Sequence, residues 1–190
     1  MKPSQYQQLI MYSPSRLIRF ARVYSTIDFE SMWDKYNKNK DLSCTYGLQF
    51  FPESYNYCKR KLEEYYTSNL IDPNLFSGKW LLFGKGQYLH DIMDQLESKQ
   101  VDLQLEGIDQ IRVVGMGKKS MMMIRCGPFF DPQLLKNNLT DLVKAITTND
   151  RQLTSTLNCT AFYKPEILRR SGITAKSEMK SYIFKHMITF

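Results

Sequence analysis

The run Gly115-Met116-Gly117-Lys118-Lys119-Ser120 joins two glycines, two lysines and a hydroxyl, the residue types that hold phosphate. A Walker loop needs an earlier glycine with four residues between it and the Gly-Lys pair, and Arg112 stands there. It also needs a helix to follow, whose N-terminal amides face the phosphate. Residues 121–126, Met-Met-Met-Ile-Arg-Cys, read as a strand instead. The run is therefore a glycine hairpin turn that projects Lys118 and Lys119, with Arg125 adding a third positive charge to the same hairpin. The chemistry left to it is phosphate contact by cationic side chains; the alternative is a solubility feature that keeps the hairpin end from pairing with other sheets. Lys79, Lys164, Arg169 and Arg170 complete the basic candidates, and under an RNA reading all seven meet phosphates rather than bases.

Other reactive residue types form no recognisable device. His90 and Asp91 are adjacent, so on a helix their side chains diverge. Glu63-Glu64 and the pair Asp91 and Asp94 read as solvated helix faces. The strand-turn-helix glycine fingerprint, the nucleophile elbow and the His-Glu-x-x-His zinc motif do not occur. Cys44, Cys58, Cys126 and Cys159 are widely spaced and include no Cys-x-x-Cys, which points away from a disulfide framework and from zinc. No cofactor and no metal is expected, and no catalytic residue is assigned.

The elements that must position the basic residues follow from the hydrophobic pattern. Trp80-Leu81-Leu82-Phe83 is a short apolar run between glycines and reads as a buried strand. Trp80 and Phe83, an odd number of residues apart, point to opposite faces, so one is core and the other free to be exposed. Helical spacing over 88–99, strands at 108–114 and 121–126, a helix over 131–148 and a strand over 154–163 complete a strand-helix-strand-strand-helix-strand order. That order predicts an α+β fold, an antiparallel sheet with helices on one face, with its core between residues 79 and 163. Before it, Phe29, Met32, Trp33 and Tyr36 share a helix face with Asp28 as N-cap, and Pro52 opens a second helix to Tyr66. Glu166 to Leu168 starts a short helix, and the type of 177–187 is ambiguous.

Charge is uneven along the 190 residues. Four of the 26 basic residues and none of the 19 acidic ones fall in residues 1–25, which leaves 22 basic against 19 acidic in the rest. Residues 1–25 read as a mitochondrial targeting segment. Leu17, Ile18, Phe20 and Ala21 alternate with Arg16, Arg19 and Arg22, and Arg22-Val23-Tyr24-Ser25 matches a matrix-processing pattern. The alternative is an ordinary basic N-terminal helix. The expected organisation is a targeting segment, 1–25, and one α+β domain, 26–190. No run of about 18 apolar residues exists, so no membrane span is expected.

An antiparallel sheet of this order often serves as an RNA platform, with aromatics on two central strands that stack bases. Residues 121–126 carry methionine and isoleucine where such aromatics would stand, so the usual stacking surface is not expected there. Gly78-Lys79-Trp80-Leu81-Leu82-Phe83, Tyr163-Lys164-Pro165-Glu166, Gly172-Ile173 and Tyr182 resemble motifs of the uncharacterised basophilic-leukaemia-expressed protein family over residues 77–184. Glu166 stands where that family has aspartate. The resemblance implies a fold similar to the cap-binding translation initiation factor of the 4E type, a curved antiparallel sheet backed by helices. That factor stacks a methylated guanine between two tryptophans. Trp33 and Trp80 are the only tryptophans here and do not fall on matching positions, so cap binding is not implied.

The reading that results is a non-enzymatic mitochondrial matrix factor binding RNA or a ribonucleoprotein in mitochondrial gene expression. The rival is a protein-binding assembly or stability factor for a respiratory-chain complex, favoured by an aromatic content of 13%. An enzyme acting on a nucleotide or acyl group is the third.

Overall fold

The structure, a computed structural model, describes residues 15–19, 29–70, 72–84, 86–99, 107–115, 120–147 and 158–189. In chain order the elements are β1 (Ser15–Arg19), α1 (Phe29–Asn39), β2 (Gln49–Phe50), α2 (Pro52–Thr67), a 3-10 turn (Pro73–Phe76), β3 (Gly78–Gly84), α3 (Gly86–Lys99), β4 (Ile108–Val114), β5 (Ser120–Cys126), α4 (Pro132–Thr147), β6 (Asn158–Pro165), α5 (Glu166–Arg170) and β7 (Phe184–Thr189). The strands form one sheet in the order β1-β4-β5-β3-β6-β7-β2, with every pairing antiparallel. The Trp80 strand is the middle one of the seven. It pairs on one side with β5 and on the other with β6. The α+β class and the strand-helix-strand-strand-helix-strand core hold.

Parity along the strands decides what is core. Trp80 and Leu82 on β3, Ile111 and Val113 on β4, Met122 and Ile124 on β5, and Cys159, Ala161 and Tyr163 on β6 are buried. Among the described side chains, the residues immediately next to them on these four strands are all at least partly exposed. Trp80 is fully buried, and its indole N–H donates to the Leu135 carbonyl of α4 at 3.1 Å. Tyr163 meets the indole edge-on at 5.3 Å between ring centres and donates its hydroxyl hydrogen to the Cys126 carbonyl at 2.9 Å. A buried tryptophan keeps its polar hydrogen only where an acceptor is at hand, and this bond ties the central strand to α4.

The helices that precede the sheet core pack through aromatic rings. Tyr36 of α1 is buried against Phe129 and Phe130, which follow β5. Trp33 stacks on Tyr66 of α2 with 3.9 Å between centroids. Tyr55, Cys58 and Leu62 of α2 are buried, as their shared helix face implies.

The boundaries differ from expectation at informative places. The helix after β3 begins at Gly86, two residues ahead of the predicted start, so that glycine opens it rather than closing the strand. Residues 177–187, ambiguous by pattern, lead into β7 from Phe184. Arg16 to Arg19 lie in β1, paired with β4 from Ser15↔Val114 to Arg19↔Gln110. The Asp28 N-cap, the first four residues of the predicted 154–163 strand, and Lys118 and Lys119 lie outside the described residues. No helix among the described residues is long and apolar enough to cross a membrane.

Candidate RNA-contact face

Three of the seven basic candidates stand side by side in one row of the sheet. Lys79 of β3 is directly opposite Arg125 of β5 and directly opposite Lys164 of β6. All three belong to the partly exposed parity. Side chains directly opposite on one face sit about 4.5–5.5 Å apart at Cβ, and like charges placed so are destabilising. Strand register brings them together, and β3 and β6 approach closely at Gly78. A Cβ on Gly78 would lie 2.6 Å from the Lys164 carbonyl oxygen and 2.8 Å from Pro165 Cα, so a side chain there would push the two strands apart.

Arg125 is held from two sides. A register shift between Ile108 and Gln110 makes Asp109 the extra residue of a bulge in β4, and its carboxylate lies 3.7 Å from Arg125 Nε. On the other side Arg125 Nη2 donates to Asn74 Oδ1 at 2.6 Å. Asn74 is itself fixed in the 3-10 turn, where its amide donates to the Asp72 carboxylate at 2.8 Å. Lys164 donates from Nζ to the Ile173 carbonyl at 2.9 Å. The Lys79 ammonium has no hydrogen bond or ion pair among the described residues. Burial lowers its pKa; Glu166 opposes that, and Arg169, Arg125 and Arg112 reinforce it. Burial also lowers the pKa of Lys164, followed by Lys79 and Arg169, again against Glu166. The row is a set of confined positive charges, with Asp109 beside Arg125 and Glu166 acting on Lys79 and Lys164.

Arg169 of α5 reaches the cleft beside the row, and Arg170 does not. Arg169 bonds the Glu166 carboxylate and borders a cleft of about 210 Å³ together with Lys79, Arg112, Arg125, Gln110 and Glu166. Arg170 turns to Asp72, 2.5 Å from Nη1 to Oδ2, with its Nε 3.4 Å from Glu166. Burial pushes the Glu166 carboxyl up, but the hydrogen bonds and charges of Arg169 and Arg170 outweigh it and hold the group below its ordinary range.

Beyond the basic row the same face is apolar and aromatic. Leu81 of β3 lies opposite Met123 of β5 and Phe162 of β6. Phe83 is 51% exposed, the opposite of fully buried Trp80 three residues earlier. Its ring meets Phe162 at 6.1 Å, Phe162 meets Tyr182 at 4.7 Å, and Tyr182 meets Phe51 at 4.9 Å. Lys185 of β7 sits over the Phe162 ring at 5.8 Å. The aromatic rings that β5 lacks on this face are thus carried by β3 and β6. Phe162, Gln110 and Lys185 do not stand out in the sequence, and Arg112 stands out only as the residue that breaks the Walker pattern. Phe162 does carry a signal there, since Cys159, Ala161 and Tyr163 share the core parity and leave it on the other face.

No protein-family model matches the sequence, and no curated protein is similar to it in sequence. Among solved structures the chain is similar to translation initiation factors of the 4E type. One is Caenorhabditis elegans eIF4E-3 in complex with the 4E-binding protein Mextli and a cap analogue, with 16% identity, a TM-score of 0.37, and coverage of 55% of this chain and 57% of that one. The chain thus spans little more than half the length of that factor. A schistosome eIF4E with m7GpppA and a 4E-binding protein has 13% identity, a TM-score of 0.41 and coverage of 90% and 94%. Ascaris suum eIF4E-3 with an m2,2,7G cap has 14% identity, a TM-score of 0.37 and coverage of 90% and 93%. No family model supports the finer resemblance to the basophilic-leukaemia-expressed family. With Trp80 in the core and Trp33 the only other tryptophan, a two-tryptophan sandwich cannot form on the open face.

Proposed function

We propose that the chain is a non-enzymatic RNA-binding factor whose ligand lies across the partly exposed face of the sheet, the face that carries Lys79 and Phe83, and that it serves mitochondrial gene expression in the matrix. The observation that carries the reading is the row Arg125, Lys79, Lys164, set beside Phe83 and Phe162 on the same face. Cations track a backbone and exposed aromatic rings stack bases, which together make a sequence-tolerant single-strand surface. A phosphate backbone also relieves the mutual repulsion of the row, so binding and local electrostatics favour the same state. The address rests on residues 1–25, basic and acid-free, and on Arg22-Val23-Tyr24-Ser25.

The test is the affinity of full-length protein for a mixed-sequence single-stranded RNA at several salt concentrations. Replacing Lys79, Arg125 and Lys164 with Gln is expected to flatten the slope of log K against log salt by about two units, near 0.7 for each phosphate no longer neutralised. An unchanged slope in a folded triple variant overturns the reading. Exposed Phe83 and Met187, 51% and 61% accessible, favour a second reading in which the face docks a protein. In that case RNA does not bind, and a tagged matrix form retains a respiratory-complex subunit.

A further inference from the structure

The cleft beside the basic row has a charge and a size that an internal phosphodiester does not match. Its walls come from four elements: Lys79 on β3, Arg112 on β4, Arg125 on β5, and Glu166 and Arg169 on α5. Four cations face one carboxylate there. The Asp109 carboxylate beside Arg125 and the Lys164 ammonium beside Lys79 balance each other just outside it. An internal phosphodiester brings one negative charge. A phosphomonoester brings about 1.5 to 2 near neutral pH and three strong acceptor oxygens. Three of the four cations are arginines, whose forked donors suit those oxygens in pairs.

Volume narrows the ligand further. Pockets that enclose a whole small molecule run to roughly 300–1,000 Å³, and this one is about 210 Å³. It admits the phosphate end of a ligand whose remainder lies outside. Leu81, Phe83 and Phe162 continue the same face away from the cleft and give a sugar and base somewhere to lie.

We infer that this cleft takes a terminal phosphomonoester, carried by the end of an RNA strand or by a free nucleoside monophosphate. The inference rests on the RNA reading for the larger ligand and not for the phosphate. Arg112 and Arg169 separate the two proposals, because both are exposed, both border the cleft, and neither belongs to the row Arg125, Lys79, Lys164.

The experiment uses full-length protein, its Arg112→Gln/Arg169→Gln variant, and four probes: one RNA sequence with a 5′-phosphate, with a 3′-phosphate and without either, and a nucleoside 5′-monophosphate. A thermal melt confirms that the variant is folded. The expected result is about tenfold tighter binding of at least one phosphorylated strand, the equivalent of about 1.4 kcal/mol. In the variant that preference disappears, whatever the loss in its affinity for the unphosphorylated strand. Mononucleotide bound by the wild type and lost in the variant, with no RNA bound, supports the cleft and overturns the RNA reading. RNA bound equally with and without a terminal phosphate overturns the cleft and leaves the RNA reading standing. No binding of any probe overturns both.

Discussion

Trp80 and Phe83 lie three residues apart on the middle strand and are expected to fail in opposite ways when cut to alanine. Trp80 is fully buried, meets Tyr163 edge-on and donates to Leu135. Its removal leaves a cavity and takes the indole bond with it, a cost of about 3–5 kcal/mol. For a chain of this size about 2–4 °C of melting temperature goes with each kcal/mol, so the melt is expected to fall by roughly 6–20 °C. Phe83 is half exposed, and its main described ring contact is Phe162. Phe83→Ala is expected to cost about 1 kcal/mol of stability or less, since much of the ring is in water already. RNA affinity should drop instead, because a base stacked on an aromatic is worth about 1–3 kcal/mol. Thermal melts and fluorescence anisotropy on the two variants give the four numbers needed. The reasoning is refuted if Trp80→Ala melts like the wild type. It is equally refuted if Phe83→Ala loses as much stability as Trp80→Ala with RNA binding untouched.

Replacing Arg16, Arg19 and Arg22 with Glu is expected to abolish import, and matrix protein should start near Ser25; an intact Met1 there contradicts the targeting reading. Processing at that point would also strip β1 from the edge of β4. Glu166, held below its ordinary range, contributes stability that is complete above its unfolded pKa of about 4.3 and lost as pH falls through the lower folded value. Acid denaturation should therefore destabilise the wild type more than Glu166→Gln as pH falls below about 4.3, and parallel curves contradict it.

Most of the sheet was legible because its central strands obey parity. Trp80 and Leu82, Met122 and Ile124, and Cys159, Ala161 and Tyr163 repeat with period two, and helices with clean apolar stripes separate them. What escaped were elements without enough residues or contrast to show a period. β2 has two residues, and only its pairing with β7 defines it. In β1 the arginines interrupt the apolar residues at a spacing that suits a helix, and pairing with β4 makes it a strand. The candidate site was legible as a set of cations and not as an arrangement. Lys79, Arg125 and Lys164 lie 39 or more residues apart from one another in sequence, and only strand register makes them neighbours. Arg112 joins them through the same cause. Its place on the exposed face follows from alternation with buried Ile111 and Val113, and only strand register sets it beside the others.

The central claim is that RNA lies on the open face of the sheet, and photo-crosslinking of bound RNA followed by peptide mapping addresses it directly. Adducts are expected on the peptides that carry Phe83 and Phe162, with none on the α1 and α2 surface around Trp33 and Tyr57. Adducts confined to those helices, or none formed at low salt, would contradict it.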